Sequence, residues 1–353
     1  MPDSASLVAR CHAALDLAGH QADIHHLRPM PDTGLAHHHL WLSRTGNDWV
    51  ARIPKQSQLG LDARANLDYQ AACFSRTSES GHTPALHDVL PPSTELPRGA
   101  LLVDAIRGRP ARLPDDLPAI ATALAAIHAI PLPPAAQRPP LLAPDSPWMG
   151  MRKELASQAR WLARADLDPA VRQRIEAELE SLPVALPMEE PRLISFDAHP
   201  GNFLITDSNQ AVLVDLEKSR YGLPGFDLAH ATLYTSTTWD LNSHAVLRVE
   251  DILSFYHHWQ TAAGSKTEGR DGMATRLICR RAMWLWSLTW CAMWRARHGE
   301  AHDASSRGED WSAELSADDL ITHVRGRVEH YLSPIIVEHV RAELHDLEST
   351  LLT

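Results

Sequence analysis

Apolar residues in SASLVARCHAALDLA, residues 4–18, recur at helical spacing behind a serine that can cap the first turn. HHHLWLSRTG and NDWVARIP then read as two strands joined across a Thr-Gly-Asn-Asp turn, a good hairpin signal. Residues 62–80 return to the helical period and stop at Gly81, and GALLVDAIRG reads as a strand. Residues 115–129 predict a helix that the prolines of IPLPPAAQRPP end, and residues 151–182 predict one or two amphipathic helices. A strand–loop–strand–turn–strand unit follows (RLISF, NFLI, AVLVD). From about residue 227 the pattern is mainly helical, with a polar loop at 263–272.

This order predicts an α+β chain: a small β-rich N-terminal lobe over residues 1–101, a hinge at 102–108, and a larger, mostly helical C-terminal lobe over 109–353. At 353 residues the chain is too long for one simple core, which agrees with two lobes. A cleft between lobes is where a small ligand binds.

Composition narrows the function classes. A hydrophobic fraction of 44% and a charged fraction of 22% are ordinary for a globular protein. The net charge of −11 disfavours a bulk nucleic-acid or anionic-membrane binder but allows a local basic pocket for phosphate. Cys11, Cys73, Cys279 and Cys291 are scattered without metal-site spacing and are expected as buried thiols. There is no secretory leader and no apolar run near the ~20 residues of a spanning helix, so a cytoplasmic protein, monomer or homodimer, is expected. Histidines cluster at 25–26, 37–39 and 257–258. Adjacent strand residues face opposite ways, so the triple run is a poor metal cage.

The chemistry concentrates in ISFDAHPGNF, residues 194–203, and VLVDLEK, residues 212–218. Asp197 begins the loop after the RLISF strand, and Pro200-Gly201 turns the chain, with Gly201 tolerating backbone angles other residues resist. Asn202 restarts a strand, and the 13 steps from Asn202 to Asp215 suffice for two short antiparallel strands and a turn. One mouth then displays two carboxylates and a carboxamide oxygen. Such a set suits a hard cation such as Mg²⁺, which fills its shell with water and substrate phosphates. A remaining carboxylate can take a proton from a hydroxyl nucleophile, as phosphoryl transfer requires.

These residues resemble the signature of the aminoglycoside phosphotransferase/choline kinase family, relatives of the protein kinases. The family's H-G-D-x-H-P-G-N loop is matched by Asp197, His199, Pro200, Gly201 and Asn202. Its D-x-E and G-x-P-x-x-D-L-A segments are matched by Asp215, Glu217, Gly222, Pro224, Asp227, Leu228 and Ala229. A weaker resemblance covers about residues 25–300. It implies a protein-kinase-like fold and transfer of the γ-phosphate of ATP, with Mg²⁺, to a hydroxyl of an aminoglycoside-, amino-alcohol- or sugar-like small molecule. By the same resemblance Asp197 is the catalytic base, and Asn202 and Asp215 hold Mg²⁺. Arg52, or Lys55 close by, faces the nucleotide phosphates. Asp104 and Ile106 belong to the hinge beside the nucleotide, and MPDTGLAHHH, whose one glycine is Gly34, covers the phosphates.

Three departures accompany the resemblance. Ser195 replaces the family's loop-shaping histidine. Gln70 stands where a helix glutamate pairs with the basic strand residue, with Asp68 the other candidate partner of Arg52. The glycine loop is poor. Together they motivate an alternative, a catalytically degenerate kinase fold with a nucleotide-binding or regulatory role.

Several residues keep two readings. His199 contacts the transferring phosphate or fixes its loop. Asp227 supports the catalytic loop or touches substrate, and Glu217 lines the pocket, assists the metal or is solvated. TLYTSTTWD, with Trp239, lies at the substrate end. Trp286, Trp290 and Trp294, spaced by four, form a stripe that either packs the lobe or offers faces to a cationic acceptor.

Overall fold

The turn at 45–48 closes as its residue types demand: Gly46 takes φ +88, the left-handed region open to glycine. Asp48 then bridges the strands by accepting from the indole nitrogen of Trp41 at 3.1 Å. The coordinates are a computed structural model, which describes residues 4–20, 23–31, 36–264, 269–298 and 318–352. Of the loop proposed over the phosphates, residues 30–39, the stretch 32–35 with Gly34 lies outside the described residues, while Met30, Ala36, His37 and His39 line the cavity described below.

Helix α1 (Ser4–Leu17) precedes β1 (Ile24–Pro29), β2 (His37–Arg44), β3 (Trp49–Pro54), α2 (Ala63–Thr77), β4 (Leu86–Leu90) and β5 (Ala100–Asp104). The five strands form one antiparallel sheet in the order β1-β2-β3-β5-β4. Sequence reading named β2, β3 and β5; β1 and β4 were not singled out. Strand β3 lies at the centre, so Arg52 does not sit on an edge hairpin. α1 packs Leu7, Cys11 and Leu15 against one face with Leu40, Leu42 and Leu102. α2 starts at Asp62, whose carboxylate accepts from the Ala65 amide at 2.8 Å. It packs on the other face through Leu67, Cys73 and Phe74.

Beyond β6 (Arg109–Pro110) the chain is largely helical: α3 (Leu117–His128), α4 (Pro147–Ala159) and α5 (Pro169–Ser181). α4 begins four residues earlier than the sequence pattern suggested, because Ser146 caps it and Pro147 starts it. Short strands β7 (Arg192–Ile194), β8 (Phe203–Ile205), β9 (Ala211–Leu213) and β10 (Arg220–Gly222) interrupt the helices. β8 pairs with β9 and β6, whereas β7 pairs with β10, so the strand–loop–strand unit is split between two small sheets. Then come α6 (Pro224–Thr232), α7 (Tyr234–Thr237), α8 (Val249–Ala262), α9 (Arg270–His298), α10 (Asp318–Tyr331) and α11 (Pro334–Leu352). α9 is the axis of this region, packed by α4, α5, α6, α10 and α11. Buried Arg280 ties it to Glu343 of α11 at 2.6 Å.

The two regions share a core. Leu101, Val103, Leu67 and Phe74 from the sheet and α2 join Leu117 and Leu124 of α3, Phe203 of β8 and Leu213 of β9. Polar bonds follow the same seam: Tyr69 donates to the Ser219 carbonyl at 2.8 Å, and the Leu213 amide donates to the His82 carbonyl at 2.9 Å. All four cysteines are buried free thiols. Among the described residues no helix is long and apolar enough to cross a membrane.

Candidate active site

The loop carrying Asp197 is shaped from below by Asp227, the fourth residue of α6. Its fully buried carboxylate accepts from the amides of Ser195 and Phe196, both at 2.8 Å, and from the Ser195 hydroxyl at 3.3 Å. It also bonds His128 Nε2 at 3.1 Å. Trp259 Nε1 can only donate, and it donates to His128 Nδ1 at 3.0 Å, so Nε2 carries the proton given to Asp227. This bracing holds Phe196 at φ +57, a conformation costly for a residue with a side chain. Of the two readings of Asp227, support of the catalytic loop is the one the structure shows: it holds the amides of that loop and stays off the cavity wall. Ser195 keeps the loop's shape by accepting from the Asp197 amide at 3.1 Å while donating to Asp227.

Pro200 to Asn202 form a single 3₁₀ turn capped by His199, whose Nδ1 accepts from the Gly201 amide at 2.9 Å. Glycine is needed at 201 for space: a Cβ there would stand 2.7 Å from the His199 ring. This corrects the expectation that unusual backbone angles require it. Asn202 Nδ2 donates to the Asp197 carbonyl at 3.0 Å, and the Asn202 carbonyl accepts from the Val214 amide at 2.9 Å. The first closes the loop on itself, and the second ties it to the segment that delivers Asp215.

Asp197, Asn202 and Asp215 line one cavity of about 430 Å³. Its wall beside the sheet is apolar, with Met30, Val50, Val103, Ile106, Leu204 and Val214. Arg52, 5% exposed, reaches from β3 to donate to Asp215 Oδ1 at 2.7 Å and to the Val214 carbonyl at 3.1 Å. Lys55, the other basic candidate, is buried and does not line the cavity.

The two expected partners of Arg52 need correction. Gln70 does not reach Arg52: its Oε1 bonds His37 Nε2 at 2.9 Å and its Nε2 donates to Glu217 at 3.4 Å. Asp68 pairs with exposed Arg64, so the ion pair of Arg52 is with Asp215. Asp104 lines the cavity, but its carboxylate serves the strand edge, accepting from His87 at 2.6 Å and the Ala85 amide at 2.9 Å. A solvated Glu217 is excluded, since it is 5% exposed.

Electrostatics follow from this burial. Burial pushes the Asp215 carboxyl up, but Arg52 and His37 outweigh it and hold the pKa below the usual carboxylate value. Burial, then the neighbouring Asp215, raises the Glu217 carboxyl well above its ordinary value. His37 is pushed down to about 3 by burial and by Arg52, and His199 down to about 4 by burial and by His230.

Ligand atoms of His37, Asp215 and Glu217 lie within 4.8 Å of one another. One histidine comes from the triple run and two acids from a distant segment, a combination that spacing within the run does not reveal. For a hard divalent ion the better donors are oxygens: Asp215, and Asn202 with its amide nitrogen turned to Asp197. Gln58 Oε1 on the same wall is a buried carbonyl oxygen with no hydrogen-bond partner, which also fits a cation. The residues present fit magnesium.

At the far end stand Lys218, His230, Thr235, Trp239, Trp286 and Trp290. Lys218 Nζ lies 3.3 Å from Asp197 Oδ2, and His230 Nδ1 lies 3.8 Å from Asp197 Oδ1. The tryptophan stripe divides: Trp286 and Trp290 line the cavity, while Trp294 is buried in the helical core. Sequence reading missed Lys218, His230, Thr235 and Tyr331. The first follows the D-x-E motif directly, and the next two fall within or beside the flagged hydroxyl-rich stretch. Tyr331 lies in the C-terminal segment, where no motif pointed to it.

The sequence profile of the phosphotransferase enzyme family matches residues 30–262. Among solved structures, the GDP complex of aminoglycoside 2'-phosphotransferase-IIIa superposes with a TM-score of 0.59 at 15% identity, covering 92% of this chain and 98% of that one. Choline kinase from Cryptosporidium parvum Iowa II gives 0.58 at 14% identity, covering 99% and 100%. A choline/ethanolamine kinase family protein from Mesorhizobium loti gives 0.55 at 16% identity, covering 96% and 99%. No curated protein sequence matches the chain.

Proposed function

The chain belongs to the phosphotransferase enzyme family, and from that premise we propose that it moves the γ-phosphoryl group of ATP to a hydroxyl of a small molecule, with magnesium as the accompanying ion. Residues 1–101 would form the nucleotide lobe, 102–108 the hinge and 109–353 the catalytic and substrate-binding lobe. The observation that carries this reading is the convergence of Asp197, Asn202 and Asp215 on one wall, with Arg52 clamped to Asp215.

The apolar wall takes the base and the Arg52 guanidinium offsets phosphate charge. Asn202 and Asp215 would hold magnesium, which when bound neutralises charge on the phosphates. Asp197 orients the acceptor hydroxyl and accepts its proton as that oxygen bonds to the γ-phosphorus. The bond from phosphorus to the β,γ-bridging oxygen breaks, and ADP leaves with the electron pair. Lys218, 3.3 Å from Asp197, keeps the base fixed toward the acceptor end. His199 serves its loop through Nδ1 and faces the acceptor through Nε2.

The test is Asp197→Asn. Removing the base should lower kcat by about a thousandfold while ATP affinity, read by calorimetry, stays close to wild type. Wild-type turnover in that variant would remove Asp197 from the base role. Turnover that persists after chelation of divalent ions would remove the metal from the scheme.

A further inference from the structure

Resting on the kinase reading above, we propose that the acceptor end of the cavity is built for a neutral, polyhydroxylated ring and not for a cationic amino alcohol or polycationic antibiotic.

The first observation is a ring of unsatisfied polar atoms. His199 Nε2, His230 Nδ1 and Thr235 Oγ1 are buried without a hydrogen-bond partner, and all three residues line this end. His230 and Thr235 are only 7% and 5% exposed, so bulk water does not serve them. Buried polar groups find partners in a folded protein, and several orphans around one cavity point to a ligand that supplies them. Because His199 Nδ1 accepts from Gly201, the Nε2 of its neutral ring can only donate, whereas the threonine hydroxyl both gives and takes. A hydroxyl answers such atoms in either sense. An ammonium can only donate, and a quaternary ammonium can do neither.

The second observation concerns charge. A cationic acceptor seeks a carboxylate and an aromatic face, and Lys218 already stands beside one of each. Asp197 faces Lys218 at 3.3 Å. Glu154 beside Trp286 accepts from Arg220 at 2.5 Å and from the Trp286 indole at 3.3 Å. Asp240, also on the wall, accepts from the Asn242 amide through Oδ1 at 2.6 Å, which leaves its charge in place but holds the side chain to its own turn. Lys218 Nζ also stands 5.8 Å from the centre of the Trp286 ring, where a quaternary ammonium would seek its cation–π contact. A second cation there meets repulsion from the first.

The third observation is shape. Trp239 and Trp290 meet edge to face with centroids 5.9 Å apart, and both line the cavity with Trp286, beside the polar atoms just named. Aromatic surface next to convergent polar partners suits the C–H face and rim hydroxyls of a saturated ring.

The test uses the full chain with ATP and magnesium. D-ribose, methyl α-D-glucopyranoside and myo-inositol serve as neutral probes, and choline, ethanolamine and kanamycin as cationic ones. ADP release reports turnover, and tryptophan emission reports binding beside these tryptophans. A neutral probe should give acceptor-dependent ADP release and an emission change. Thr235→Val should raise its KM about tenfold, and Thr235→Ser should keep it within about twofold of wild type. Higher kcat/KM for a cationic probe overturns the proposal and leaves the kinase reading standing. So does a Thr235→Val enzyme with unchanged KM, or the absence of both ADP release and emission change with every neutral probe. Failure of the kinase reading is separately visible as no magnesium-dependent thermal shift with ATP.

Discussion

Asp227→Asn is the sharpest probe of how the catalytic loop is held. In the wild-type structure Oδ2 accepts from the Ser195 amide and His128 Nε2, and Oδ1 accepts from the Phe196 amide and the Ser195 hydroxyl. Asparagine keeps one acceptor oxygen, so whichever way the amide is turned its NH₂ faces at least one obligate backbone donor, the Ser195 or the Phe196 amide. Each orphaned donor costs about 1–3 kcal/mol, so the variant should lose about that much stability or more. The bracing also keeps Phe196 at φ +57, and relaxation of that residue swings the next one, Asp197, away from its bond to Ser195. A displacement of about an ångström at a reacting group costs about a hundredfold in rate, so kcat should fall by at least that factor. ATP affinity should hold, because Arg52 and Asp215 are anchored through Val214 and not through Asp227. Urea unfolding gives the first number and ADP-release kinetics the second. A variant with wild-type kcat and a stability loss under about 0.5 kcal/mol would refute the account of the loop.

Arg52→Met should raise the KM for ATP about tenfold or more and destabilise the protein, since it leaves the half-buried Asp215 carboxylate without its cation; nucleotide titration and thermal midpoints read both. Asn202→Ala should raise the magnesium concentration needed for half-maximal turnover and weaken the loop's hold on Asp197, measured by metal titration. Stability should also fall in acid. The folded pKa of His199 is depressed from 6.5 to about 4, so the neutral ring's contribution is present above pH 6.5 and lost as pH falls toward 4. His37 and His230 are shifted the same way. Each contributes up to about 1.4 kcal/mol per pH unit in that window, and His199→Gln should flatten the slope of urea midpoints measured from pH 7.5 to 4.5.

Legibility in the sequence tracked how local each constraint is. The D-x-H-P-G-N and D-x-E segments announced the site because their residues meet through short loops and a hairpin, with Asn202 bonded to Asp197 five residues away. Strand β3 was visible from its apolar run. Strand β1, IHHLRP, was not, because its polar residues are tolerated at the sheet edge. The partner of Arg52 was misassigned for a different reason: 163 residues separate it from Asp215, and spacing says nothing about which carboxylate folds against it. The left-handed Phe196 is equally invisible, since only the tertiary grip of Asp227 makes that conformation affordable. The tryptophan stripe was legible as a stripe but not as a division, because α9 runs from the cavity wall into the helical core along one face.

The seam between the sheet and the helical region has a kinetic consequence. With α2 sewn to the segments after β9 and sharing their core, it travels with the larger body. A crosslink fastening α2 to its neighbours across the seam should therefore leave nucleotide exchange untouched.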